Sequence, residues 1–64
     1  MNSAKLKAKI VEEKLTQTKM AELLDLSVQN FNAKLNGRGT FNINEVAKMI
    51  KILKIDNISE IFFD

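Results

Sequence analysis

Five residues able to cap a helix, Ser3, Thr16, Ser27, Asn42 and Asn57, punctuate the chain, and each is followed by apolar residues three or four apart. A side-chain oxygen placed just before such a repeat accepts a hydrogen bond from an unpaired N–H and starts an amphipathic helix. The pattern predicts an all-α chain of five short helices. The absence of Pro and the presence of only two Gly agree, because strands need more turn punctuation. With 64 residues there is room for one domain, 1–64, and for one core. A chain of this size buries only about 60% of the surface its unfolded form exposes, so its stability is expected to be marginal. It has no Cys, so neither a disulfide nor a thiolate metal site supports it.

The first helix is expected from about Ala4 to Lys14 behind Ser3, with Leu6, Ile10 and Leu15 near one face. The second runs from Gln17 to Leu24 behind Thr16, and the small Ala21 beside Met20 lets a following helix cross closely. Asp25-Leu26-Ser27 interrupts the pattern, with Asp25 in the left-handed conformation that ends helices and Leu26 plugging the core. Ser27 starts a third helix, Val28 to Asn36, which turns Phe31 and Leu35 inward before Gly37 stops it. After a loop, Asn42 and Glu45 have capping-box spacing and open a fourth helix to about Leu53. Its buried stripe reads as Ile43, Val46, Ala47, Ile50 and Leu53. Ile55 packs after it, and a last helix spans Ile58 to Phe62.

Several function classes are set aside by composition. With no His, Cys or Tyr and no glycine-rich phosphate loop, the chain lacks the means for most catalysis, and no enzyme is expected. Glu12-Glu13 is an adjacent pair, and adjacent residues on a helix point apart. No metal site and no cofactor are expected, because the carboxylates are scattered. No apolar run has the length of a signal-peptide core or a membrane span, so a cytoplasmic protein with no membrane partner is expected.

Charge is distributed unevenly. Residues 1–25 carry five Lys against four acids. Residues 26–54 carry Lys34, Arg38, Lys48, Lys51 and Lys54 against Glu45 alone, and Leu26 to Asn44 is free of acids. Asp56, Glu60 and Asp64 follow. An acid-free stretch lets a surface approach phosphates without repulsion.

Two short helices joined by a tight turn, the second polar outside and acid-free, have the form of a helix-turn-helix unit. The first helix braces across a DNA backbone and the second lies in the major groove. Leu15-Thr16-Gln17, Met20-Ala21, Leu24-Asp25-Leu26-Ser27, Phe31 and Leu35-Asn36-Gly37 resemble the helix-turn-helix of Cro/CI-type phage repressors. Ala47 to Ile55 and Glu60-Ile61-Phe62 resemble the last two helices of the lambda repressor N-terminal domain. The resemblance covers about residues 5–63. It implies a compact five-helix lambda-repressor-like domain that binds a double-stranded operator, usually palindromic, as a transcriptional regulator, most often a repressor. The chain departs from that pattern where Asp25 replaces the usual turn glycine.

On this reading Val28, Gln29 and Asn32 project toward the bases. Gln29 has the geometry to pair with adenine N6 and N7, and Val28 to touch a thymine methyl unless it is spent on the core. The resemblance assigns Gln17 a phosphate contact, which suits a side chain at a helix N-terminus. Thr16 lies beside it. Lys34, Asn36, Arg38 and Thr40 follow as further backbone contacts, against the alternative of an ordinary solvated loop. Met49, Ile52 and Phe63 fall off the expected stripes and are candidates for a homodimer interface, formed in solution or only on DNA. A protein-interaction module on the same fold, of antitoxin or antirepressor type, is the competing expectation.

Overall fold

The computed structural model of the chain describes residues 1–63. Asp64, counted above among the C-terminal acids, lies outside the described residues. Among the described residues there are five helices and no strand: α1 Ser3–Glu12, α2 Gln17–Leu23, α3 Val28–Leu35, α4 Ile43–Leu53 and α5 Ile58–Phe62.

Every helix starts on a side-chain cap. Asn2, Thr16, Ser27, Asn42 and Asn57 each accept a hydrogen bond from the N–H three residues on. The first cap is therefore Asn2 and not Ser3. Ser3 sits inside α1, and its hydroxyl donates to the Leu35 carbonyl at the end of α3. Asn2 also donates its N–H to Ile61 O at 2.6 Å, which ties the start of the chain to α5.

Four helices end on one motif. The N–H groups of Leu15, Leu26, Arg38 and Ile55 reach back five residues to Ile10, Ala21, Ala33 and Ile50, at 2.8–3.0 Å. The residue before each of them, Lys14, Asp25, Gly37 and Lys54, has φ between +53° and +84°. This is the Schellman ending, in which one left-handed residue turns the chain back onto the helix it leaves. Leu15, Leu26 and Ile55 use that turn to reach the core. Arg38 stands in the same position after α3 but stays exposed.

The core is made by Leu6 and Ile10 of α1, Met20 and Ala21 of α2, Phe31 and Leu35 of α3, Met49 and Leu53 of α4, with Leu24, Ile55 and Ile61. Ala21 is completely buried where α2 packs against α3, consistent with a small side chain allowing close approach. Phe41 lays its ring against Phe31, centroids 5.7 Å apart and tilted by 57°, and so anchors the α3–α4 loop.

α4 keeps three residues of the expected stripe, with Leu53 in the core and Val46 and Ile50 partly buried against it. Ile43, 83% exposed, and Ala47 turn outward instead. Met49 is fully buried in the core, Glu45 is buried under the loop, and Ile52 is partly buried. Met49 is thereby excluded as a surface contact to a second copy.

Three of the four left-handed positions hold side chains that disfavour that conformation by about 1–2 kcal/mol. Asp25 is exposed, and its carboxylate makes no hydrogen bond or ion pair among the described residues. Asp25→Gly relieves the strain but adds unfolded-state freedom worth about 0.4–1 kcal/mol. The net expectation is a gain of about 0.5–1 kcal/mol, read as a Tm rise of roughly 2–8 °C by calorimetry. An unchanged or lower Tm would show that Asp25 is not strained.

Candidate nucleic-acid interface

Burial of Phe31 and Leu35 fixes the orientation of α3. Gln29, Asn32 and Asn36 then follow one another at helical spacing on the other side. Gln29, Asn30 and Asn36 are exposed, and Asn32 and Ala33 are partly buried. Val28 is partly buried and packs against the core, so its side chain is shared between core and surface. At the start of α2, Thr16 is exposed and its hydroxyl oxygen accepts the Lys19 N–H at 3.0 Å. Gln17, the first residue of α2, is partly buried.

The loop after α3 presents Asn36 to Thr40 to solvent. Gly37 supplies the positive φ that turns it, and the Arg38 N–H to Ala33 O bond fixes the backbone beneath the Arg38 side chain. Arg38 has no carboxylate partner among the described residues.

Lys34 does not belong to that exposed set. Its ammonium donates to both oxygens of Glu45, at 2.9 and 3.0 Å, with side chains 21% and 10% exposed. A lysine held by a nearly buried carboxylate is neutralised, and the backbone-contact role expected for Lys34 is withdrawn on that ground. Glu45 completes the capping box as well, since its Oε1 accepts the Asn42 N–H at 2.9 Å and Asn42 accepts the Glu45 N–H at 2.8 Å. Burial alone would raise the Glu45 pKa. The hydrogen bonds from Lys34 and the Asn42 N–H, with the charges of Lys34 and Lys48, outweigh it and leave the pKa lowered.

The pair also completes the charge pattern. Between Asp25 and Asp56 the only acid is Glu45, and it is buried. The surface formed by residues 26–55 therefore shows no exposed carboxylate, while Arg38, Lys48, Lys51 and Lys54 are exposed.

One residue was not legible as part of this region. Lys7, on α1, places its ammonium 3.3 Å from Asn36 Oδ1, and Asn36 in turn donates Nδ2 to the Asn32 carbonyl at 2.9 Å. The two residues are far apart in sequence, and nothing in the local spacing of α1 signals the contact. Among the described residues no group of His, Cys, Asp and Glu is arranged to hold a metal ion, and no helix is long and apolar enough to cross a membrane.

The sequence profile of one protein family matches residues 1–64, the whole chain; its description is "Protein of unknown function (DUF739)". The chain belongs to the DUF739 family. Comparison of this DUF739 member with the curated proteins and with the solved structures found no match.

The Lys34–Glu45 pair should dominate the acid sensitivity of this DUF739 domain. A carboxyl whose folded pKa is depressed contributes fully above its unfolded value, about 4.3, and loses that contribution as pH falls through the folded value. Thermal melts should show Tm falling as pH drops below about 4.3, and a flatter profile in Glu45→Gln. Glu45→Ala leaves the Lys34 ammonium unpaired and should cost about 1–3 kcal/mol. That is less than for a deeply buried pair, because the carboxylate lies near the surface and water screens it. Equal pH profiles for wild type and Glu45→Gln would assign the acid sensitivity elsewhere.

Proposed function

We propose that this DUF739 domain is a sequence-specific DNA-binding domain in which α2 and α3 act as a helix-turn-helix and α3 enters the major groove. The observation that carries the reading is the pairing of two packed short helices with a second helix whose outer face is polar and free of exposed acids. The similarity to Cro/CI-type repressors supports a regulatory role, most often repression, of the kind found in phages and mobile elements.

In this reading Gln29 and Asn32 read base edges, and Val28 adds an apolar contact at the helix start. Thr16, Gln17, Arg38 and Thr40 lie against phosphates, which fixes register without reading sequence, while the Asn36 amide beside them is engaged by Lys7 and the Asn32 carbonyl. The domain measures 26 × 24 × 20 Å and carries one such helix. Two half-sites one turn of DNA apart, about 34 Å, therefore need two copies. Phe63 is 79% exposed and Ile43 is 83% exposed, and both flank one apolar groove of about 620 Å³ with Phe41, Val46 and Phe62. This groove is the surface we assign to the second copy. Ile52, partly buried against the core, does not line it.

The same groove favours a second reading, a module that binds another protein and no operator. Salt separates the two, since phosphate contacts make binding steeply salt-dependent.

Selection of bound sequences from a random duplex pool, at two salt concentrations, tests the proposal. Enrichment of a palindrome with half-sites about 10 bp apart is expected. Gln29→Ala should then relax one position of the site at a cost of about 1–3 kcal/mol. Arg38→Ala should weaken binding to all sequences and lower the salt slope by about 0.9. No enrichment, with weak binding that vanishes as salt rises, would overturn the operator reading.

The dimer has its own test. Sedimentation should show association of wild type, with or without the selected duplex, and its loss in Phe63→Lys and Ile43→Lys. Both residues are too exposed for these changes to disturb the core. Association unchanged by either substitution would remove the groove from the interface.

A further inference from the structure

α1 carries three lysines along its first two turns, and they are treated differently. Lys5 pairs with Glu60 at 2.6 Å, and Lys9 pairs with Glu12 at 3.3 Å. Lys7 is exposed, has no carboxylate partner among the described residues, and donates only to the amide oxygen of Asn36, at 3.3 Å. A carboxylate partner neutralises an ammonium. An amide oxygen orients it and leaves its full charge. Asn36 is itself fixed, because Nδ2 donates to the Asn32 carbonyl at 2.9 Å. The chain of contacts runs from α1, through the cap residue of α3, to the backbone of a residue assigned above to base contact.

The helix beneath is held firmly at that end. The Ser3 hydroxyl, one turn before Lys7 on α1, donates to Leu35 O. Two residues beyond Asn36, Arg38 is likewise exposed and without a carboxylate.

We infer that Lys7 is a phosphate-binding residue of this surface, contributed by α1, and that Asn36 is its positioning residue. The inference rests on the DNA-binding reading and adds to it. Lys7 supplies charge from outside the helix-turn-helix, and Asn36 spends its amide on holding Lys7 and Asn32. A preoriented cation binds a phosphate with less loss of side-chain entropy than a free lysine does. Because the contact is to phosphate, it carries no sequence information and is measurable on any duplex.

The test is the salt dependence of binding to a short random-sequence duplex, measured by fluorescence anisotropy for wild type and four variants. Lys7→Gln should lower the slope of log K against log salt by about 0.9, the share of one phosphate. Lys7→Arg should retain the wild-type slope. Asn36→Asp should lower the slope as Lys7→Gln does, because a carboxylate there neutralises the ammonium it holds. Lys9→Gln, which removes a cation already paired, should leave the slope unchanged. Thermal melts of the same variants separate charge from folding, since a merely structural role shifts Tm and leaves the slope alone. A wild type that binds with a steep slope, together with Lys7→Gln matching Lys9→Gln, overturns the assignment of Lys7 and leaves the DNA-binding reading standing. A wild type that binds no duplex at any salt overturns both.

Discussion

One carboxylate joins the parts of this domain that matter most to each other. Glu45 accepts the N–H that starts α4, neutralises the lysine in the last turn of α3, and is itself buried. Removing any of these partners would leave a charge or a donor unsatisfied where water reaches only in part. The two helices are therefore coupled across a loop that is otherwise exposed. Gly39 lies against the stem of Lys34, where a Cβ would come 3.4 Å from Cγ, so the loop folds over the pair. Phe41 fastens its far end to Phe31. The exposed residues 36–40 are thus carried on a short span held at both ends.

The same economy runs through the chain. No helix is longer than 11 residues, and helices so short are not stable alone. Their ends weigh as much as their middles, and five side-chain caps with four Schellman turns satisfy part of what the ends leave unpaired. Three of those turns also deliver an apolar side chain to the core, so that connections add to the buried surface of a domain with little to spare. The left-handed strain at Lys14, Asp25 and Lys54 is the cost of that arrangement.

How much of this was readable in advance follows from how local each feature is. The five helices and four of the five caps are legible because capping is settled within four residues. Asn2 was missed because Ser3 is an equally good cap by type, and only the Leu35 carbonyl 32 residues away draws Ser3 into the helix. Asp25 and Gly37 were legible as left-handed residues, while Lys14 and Lys54 were not, since nothing in a lysine marks it for that conformation. α4 shows the limit most clearly. Val46, Ile50 and Leu53 are legible as its inner face, but Glu45 reads as polar surface, and what buries it is the distant pair with Lys34. The exposure of Gln29 and Asn36 is legible for the same local reason that Phe31 and Leu35 are legible as core. Lys34 and Lys7 were misjudged or missed because a lysine's role depends on which acids its ammonium can reach, and that is a matter of tertiary structure.

A domain with a net charge of only +2 can still present a basic surface, as the proposed function requires. Net charge is a poor guide, because pairs cancel where they stand. Lys5, Lys9, Lys19, Lys34 and Lys54 each sit within 4 Å of a carboxylate. Glu45, the one acid between residues 26 and 55, is both buried and neutralised. The field left over comes from Lys7, Lys14, Arg38, Lys48 and Lys51, which have no acid partner among the described residues, and Lys7 and Arg38 flank the end of α3 in contact and in sequence. Holding Lys7 with an amide preserves its charge, whereas a carboxylate at Asn36 would hold it better and silence it. On the proposed reading, the residue type at position 36 sets whether Lys7 adds its charge to that of Arg38 at the end of α3.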